Sequence, residues 1–196
     1  PFKGPAEILV AVRVWFGCTY WDNPKKHAVK AHINQCFYLT AKTQGYLPAQ
    51  ISNHPYPRNS RPTLIIVLEN WNTGHAMYRV FSKAFRSLRK EFRLVALGAA
   101  HNTSENATDF FEDVISFQDH ISTETLKDIV RRIQEIRPEL ILYSSLGMCA
   151  NAVQLAQFRL APIQMLTGGH PASSFCSELD YLIVEEELLP EEETVS

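Results

Sequence analysis

The sequence predicts an α/β protein: a Rossmann-like, mostly parallel sheet preceded by a helical segment. Three observations predict it. From residue 63 onward, short apolar runs alternate with amphipathic stretches of helical period. That alternation implies parallel strands covered by helices on both faces. Before it, residues 46–62 carry prolines 48, 55, 57 and 62 among Asn and Ser, a linker or extended crossing. Ahead of that lies a stretch with helix start and stop signals. The chain therefore divides into 1–62, a helical segment with its linker, and 63–196, the α/β unit.

The elements follow in order. Residues 6–21 are apolar on nearly every side; Pro5 suits a first helical turn, while the many β-branched residues also permit a strand. Residues 24–44 form a helix, with Asn23 as cap and Gly45 as stop. Val29, Ile33, Cys36 and Leu39 make its apolar stripe. Thr63–Leu68 reads as a buried strand and Ala76–Lys90 as a helix. Arg93–Leu97 and Val114–Phe117 are strands. Thr123–Ile136 is a helix with Leu126, Ile129, Val130, Ile133 and Ile136 on one face, stopped by Pro138. Leu140–Tyr143 is a strand and Met148–Phe158 a short helix. Two further apolar runs, Ala161–Leu166 and Leu179–Val184, flank Gly168-Gly169-His170-Pro171, which no regular element would carry inside.

Composition narrows the function classes. With 45% hydrophobic and 20% charged residues the chain is an ordinary globular one, and its net charge of −2 gives no steering towards nucleic acid. Cys18, Cys36, Cys149 and Cys176 are widely spaced with no CxxC, which favours reduced thiols over disulfides or a zinc site. No run reaches membrane-spanning length and no leader-like stretch opens the chain, so a cytoplasmic setting is expected.

A parallel sheet gathers the carboxyl ends of its strands, and the helix N-termini beside them, on one rim. Residues just past each strand are the candidates for chemistry. They include Glu69 to His75, then His101, His120, Ser144 to Gly147, and Gly168-Gly169-His170. His75 and His170 are the candidate catalytic residues, since imidazole titrates near working pH. Arg79, one helical turn after His75, is a candidate for binding substrate, with a surface ion pair as the plain alternative. Trp71 is expected to pack as a lid, and His101 and His120 as exposed loop residues. Walker A, GxGxxG, GxSxG and HExxH patterns are all absent, so the chain has no recognisable phosphate cradle of its own.

RLAPIQMLTGGHPASS followed by LDYLIVEEELLP resembles the corresponding stretch of glycosyltransferase family 41, as does Gly74-His75-Ala76-Met77-Tyr78-Arg79. The GHP form with His170 is similar to the branch of bacterial cytoplasmic transferases that glycosylate adhesins, relatives of the O-linked N-acetylglucosamine transferases. The resemblance covers roughly residues 63–189. It implies the N-terminal half of a GT-B fold after the end of a helical domain, with a C-terminal half missing from this chain. It also implies inverting transfer of a hexose from a UDP-sugar to a protein side chain without a metal. UDP-sugar would then be a donor substrate, not a resident cofactor. His75, Arg79, Gln164 and His170 would line the cleft, with Gly168 and Gly169 beside them. Two other readings stay open: a non-catalytic α/β module that binds a ligand or partner, and half of a sugar-nucleotide epimerase.

Overall fold

The computed structural model describes residues 1–48, 61–103, 105–118, 121–168 and 173–184. Two helices, α1 (Pro5–Gly17) and α2 (Val29–Gln44), precede a sheet unit of β1 (Thr63–Leu68), α3 (Ala76–Leu88), β2 (Arg93–Ala99), β3 (Asp113–Phe117), α4 (Thr123–Ile136), β4 (Leu140–Tyr143), α5 (Ala150–Leu155), β5 (Ile163–Thr167) and β6 (Tyr181–Ile183). The strands lie in the order β3-β2-β1-β4-β5-β6, and every pairing is parallel. This is the doubly wound order, with its direction reversal between β1 and β4.

Strand β1 is buried along its whole length, and apolar from Leu64 to Leu68, because it is central. Ile65 and Val67 enter one core with Val95, Leu97, Ile141 and Tyr143, under α4 and α5. Leu64, Ile66 and Leu68 enter a second core with Phe85 of α3 and Phe110. The first core also takes in Ile8, Val12 and Trp15 of α1 and Phe37 and Ala41 of α2, so the helical segment packs into the same interior as the sheet. At the far edge the three residues of β6 are all exposed, although Tyr181, Leu182 and Ile183 are apolar.

The structure settles the opening segment as helix, with Pro5 in its first turn. It also shifts the expected stripe of α2. Val29, Ile33, Cys36 and Leu39 are only partly buried, while Lys30, Asn34, Phe37 and Ala41 face inward. Two of the polar residues on the buried face, Lys30 and Asn34, meet Trp15. Its indole Nε1 donates to Asn34 Oδ1 at 2.8 Å, and Lys30 Nζ lies 4.1 Å from the ring centroid, a cation–π contact. Burial lowers the Lys30 pKa. Gly45 ends α2 at a left-handed φ of 71°. Strand β5 starts two residues later than expected and α5 is shorter, spanning Ala150–Leu155. Of the expected linker, only residues 46–48 and 61–62 are described.

Candidate functional site

All strands point one way, so their carboxyl ends form one rim, and His75, Arg79 and Gly168 all stand on it. His75 caps α3: its Nδ1 accepts from Met77 N at 3.3 Å. In the neutral ring the proton then sits on Nε2, so His75 offers an N–H donor rather than a free base. Arg79 is exposed, and its guanidinium turns back to donate to the Gly74 carbonyl at 2.6 Å. The loop before α3 is thus held by its own cation. Gly168 follows β5 directly and donates its N–H to Ile183 O at 2.9 Å. Gly169, His170 and His120 lie outside the described residues. His101 is exposed, as expected.

Trp71 is a plug, not a lid. It is fully buried, stacked on Phe85 at 5.3 Å and flanked by Tyr78, Phe110 and Phe111. Its backbone N–H donates to Asn102 O at 2.7 Å, tying the exits of β1 and β2 together.

Gln164 does not line a cleft. It stands at the amino end of β5, fully buried, and its amide is spent inside the protein. Oε1 accepts from Leu160 N at 2.8 Å, while Nε2 donates to Phe158 O at 3.0 Å and Glu178 O at 2.8 Å. Nearby, Arg159 donates to Asp180 at 2.6 Å and Glu178 at 3.0 Å, and Asp180 also accepts from Gln164 N. The Arg159 guanidinium and that N–H hold the Asp180 carboxyl below its ordinary value. Arg159, Gln164 and Asp180 together staple the start of β5 to the approach of β6.

Glu69, placed by the sequence among the rim residues but given no role there, sits at the reversal point between β1 and β4. Its carboxylate is almost completely buried and faces four donors. Oε1 accepts from Gly147 N at 2.8 Å, Met148 N at 2.9 Å and Cys149 N at 2.8 Å; Oε2 accepts from Ser145 Oγ at 2.9 Å. Burial pushes the carboxyl above its ordinary value, and the four hydrogen bonds pull against that. Gly147 adopts φ 132°, and a Cβ there would meet Phe16 at 2.8 Å and Trp15 at 3.0 Å. Helix α1 therefore rests directly on this turn. An acid directly after a strand is a weak signal, and nothing local marks it as a ligand for a turn so distant in the chain.

Beside that turn a groove of about 700 Å³ opens between Pro5, Leu9, Arg13 and Phe16 of α1 and Ile121, Gly147 and Met148 of the rim. Among the described residues no cluster of three His, Cys, Asp or Glu side chains is placed to hold a metal ion, and no helix is long and apolar enough to cross a membrane.

No protein-family model matches the chain. Two curated UDP-glucose:protein N-beta-glucosyltransferases of Actinobacillus pleuropneumoniae do. One, from serotype 5b, is 28% identical over 185 residues, or 93% of this chain. The other, from serotype 7, is 27% identical over 181 residues, or 91%. The chain resembles a piece of a family 41 glycosyltransferase. It spans 29% of the length of each of these relatives. A solved mutant of the Thermobaculum terrenum O-GlcNAc transferase shares the fold, with a TM-score of 0.62 at 12% identity, covering 90% of this chain and 33% of that one. The chain thus carries a Rossmann-like sheet, and the relatives it matches are about three times its length.

Proposed function

We propose that the chain is the acceptor-side half of a glycosyltransferase that moves a hexose from a UDP-sugar to a protein side chain, Asn or Ser/Thr. The observation that carries this reading is the likeness to UDP-glucose:protein N-beta-glucosyltransferases across 93% of the chain. The rim geometry accords with it: His75 and Arg79 stand at the carboxyl ends of the strands, where α/β sheets hold ligands.

In such a transfer the bond from the anomeric carbon to the diphosphate oxygen breaks and a bond to the acceptor nitrogen or oxygen forms. The acceptor proton leaves to a base, and UDP departs with the electron pair. The Nε2–H of His75 is suited to bind an oxygen that gains charge in this step. His170, which follows β5 in the sequence, is kept in this reading as the second candidate on the strength of the resemblance. The reading assigns no metal: the UDP-sugar is substrate, and the diphosphate is held by the C-terminal half. Four free cysteines fit a cytoplasmic setting, where UDP-sugars are available.

The test is transfer of labelled glucose from UDP-glucose to an Asn-X-Ser/Thr peptide by the whole encoded protein. His75→Ala should lower kcat about 100-fold or more, at a stability cost of about 1 kcal/mol for the lost cap. Residues 1–196 alone should give no transfer. An unchanged rate in the variant would remove His75 from the chemistry. Donor binding without transfer to any acceptor would favour the binding-module reading.

A further inference from the structure

The crevice at the reversal point of a doubly wound sheet is where such folds place a ligand's phosphates, on the backbone N–H groups that follow the strands. Here three consecutive N–H groups, of Gly147, Met148 and Cys149, converge on one point, and that point is occupied by the chain's own carboxylate. Ser145 closes the other carboxylate oxygen. Glu69 is also gripped through its backbone, since its carbonyl accepts from Asn102 Nδ2 at 3.0 Å. The next residues on, Asn70 to Gly74, are the loop that delivers His75.

We propose that Glu69 is a positioning residue for His75: by filling the switch-point crevice with the chain's own anion, it locks the β1 exit to the β4 exit and closes this half to phosphate. The inference deepens the functional reading above and rests on it for the part that concerns transfer. Four hydrogen bonds to one buried carboxylate leave the β1 exit little freedom, since each bond lost would strand a buried donor. The loop that starts from Glu69 then meets α3 at a fixed place, and the His75 ring is aligned by Met77 N. The occupied crevice also explains how this sheet lacks a glycine-rich phosphate loop yet keeps the architecture that usually carries one.

The experiment compares wild type with Glu69→Gln and Glu69→Ala in the whole encoded protein. Glutamine keeps an oxygen for the three N–H groups and places its amide against Ser145 Oγ, which can accept. Glu69→Ala should lower kcat about 100-fold, the scale of a displaced catalytic group, with KM for UDP-glucose little changed. Glu69→Gln should recover most of that loss. Amide NMR gives a readout independent of catalysis. The Met77 amide, which reports the His75 cap, should shift in Glu69→Ala and stay near its wild-type position in Glu69→Gln. Titrating wild type with pyrophosphate should leave the Gly147, Met148 and Cys149 amides unmoved.

An unmoved Met77 amide in Glu69→Ala would overturn the proposal, and so would pyrophosphate shifting the three turn amides of wild type. If Glu69→Ala does not fold, a Glu69→Gln variant that loses kcat while its Met77 amide stays in place also overturns it, because the loss would not run through the His75 cap. Absence of transfer by wild type would count against the functional reading alone, because the NMR result stands without it.

Discussion

Replacing Gln164 by alanine separates a structural from a functional reading of the most family-like stretch in the chain. The side chain is fully buried, and its amide makes three hydrogen bonds of 2.8–3.0 Å to backbone groups. Truncation leaves Leu160 N–H and two carbonyls buried without those partners. A stranded buried group costs roughly 1–3 kcal/mol. The donor takes the larger share, because a carbonyl retains a second lone-pair direction. The expected loss is therefore about 2–4 kcal/mol. For a domain of this size about 1 kcal/mol moves the melting midpoint by roughly 2–4 °C, so the midpoint should fall by about 4–16 °C. Gln164→Glu should be at least as damaging, since it aims a carboxylate oxygen at the Phe158 and Glu178 carbonyls. Differential scanning calorimetry on the chain gives the midpoint. Single-turnover transfer by the whole protein, at a temperature where the variant is folded, gives the rate, which should match wild type. A wild-type midpoint with a slowed transfer would refute the reasoning and return Gln164 to the cleft.

Two further outcomes follow from the same geometry. Gly147→Ala should destabilise by about 2–3 kcal/mol, because alanine at φ 132° is strained and its Cβ would press on Trp15 and Phe16; urea unfolding measures it, and a wild-type midpoint would show that α1 does not bear on the turn. Asp180 titrates lower in the folded protein than in the unfolded chain. Its contribution is therefore complete above the ordinary carboxylate value and is lost as pH falls through the lowered one. Asp180→Asn should flatten that acid limb in a pH series of melting midpoints, and an unchanged acid limb would argue that the Arg159 contact contributes nothing.

Much of the sheet was legible because burial on both faces writes itself as an unbroken apolar run, as in Thr63–Leu68 and Leu140–Tyr143. Helices α3 and α4 were legible from their period, and α4 also from Pro138, which follows its end; its cap, Ser122 accepting from Thr125 N, came only with the structure. The stripe of α2 was misread because it contains Lys30 and Asn34, whose partners are distant in the chain: Trp15 for both, and the Ser174 and Phe175 carbonyls for Asn34. Gln164 was placed in the cleft by the resemblance alone, and nothing local shows that its amide is spent on carbonyls 6 and 14 residues away. Glu69 was invisible as a site because its partners lie 76–80 residues downstream. The rim position of His75 and Arg79 was legible because helix starts after parallel strands have a fixed place in space.

The central position of β1 sets a timetable for synthesis. Its second neighbour, β4, lies far downstream: Ser144, just past β4, bonds to Val67 across 77 residues of chain. At about 5–20 residues per second on the ribosome, that separation amounts to roughly 4–15 s. Throughout that interval the most apolar strand of the protein has only β2 beside it and one open edge. The nascent chain therefore passes through a half-sheet whose bare flank is Leu64 to Val67, and a chaperone that recognises short aliphatic segments has several seconds in which to reach it.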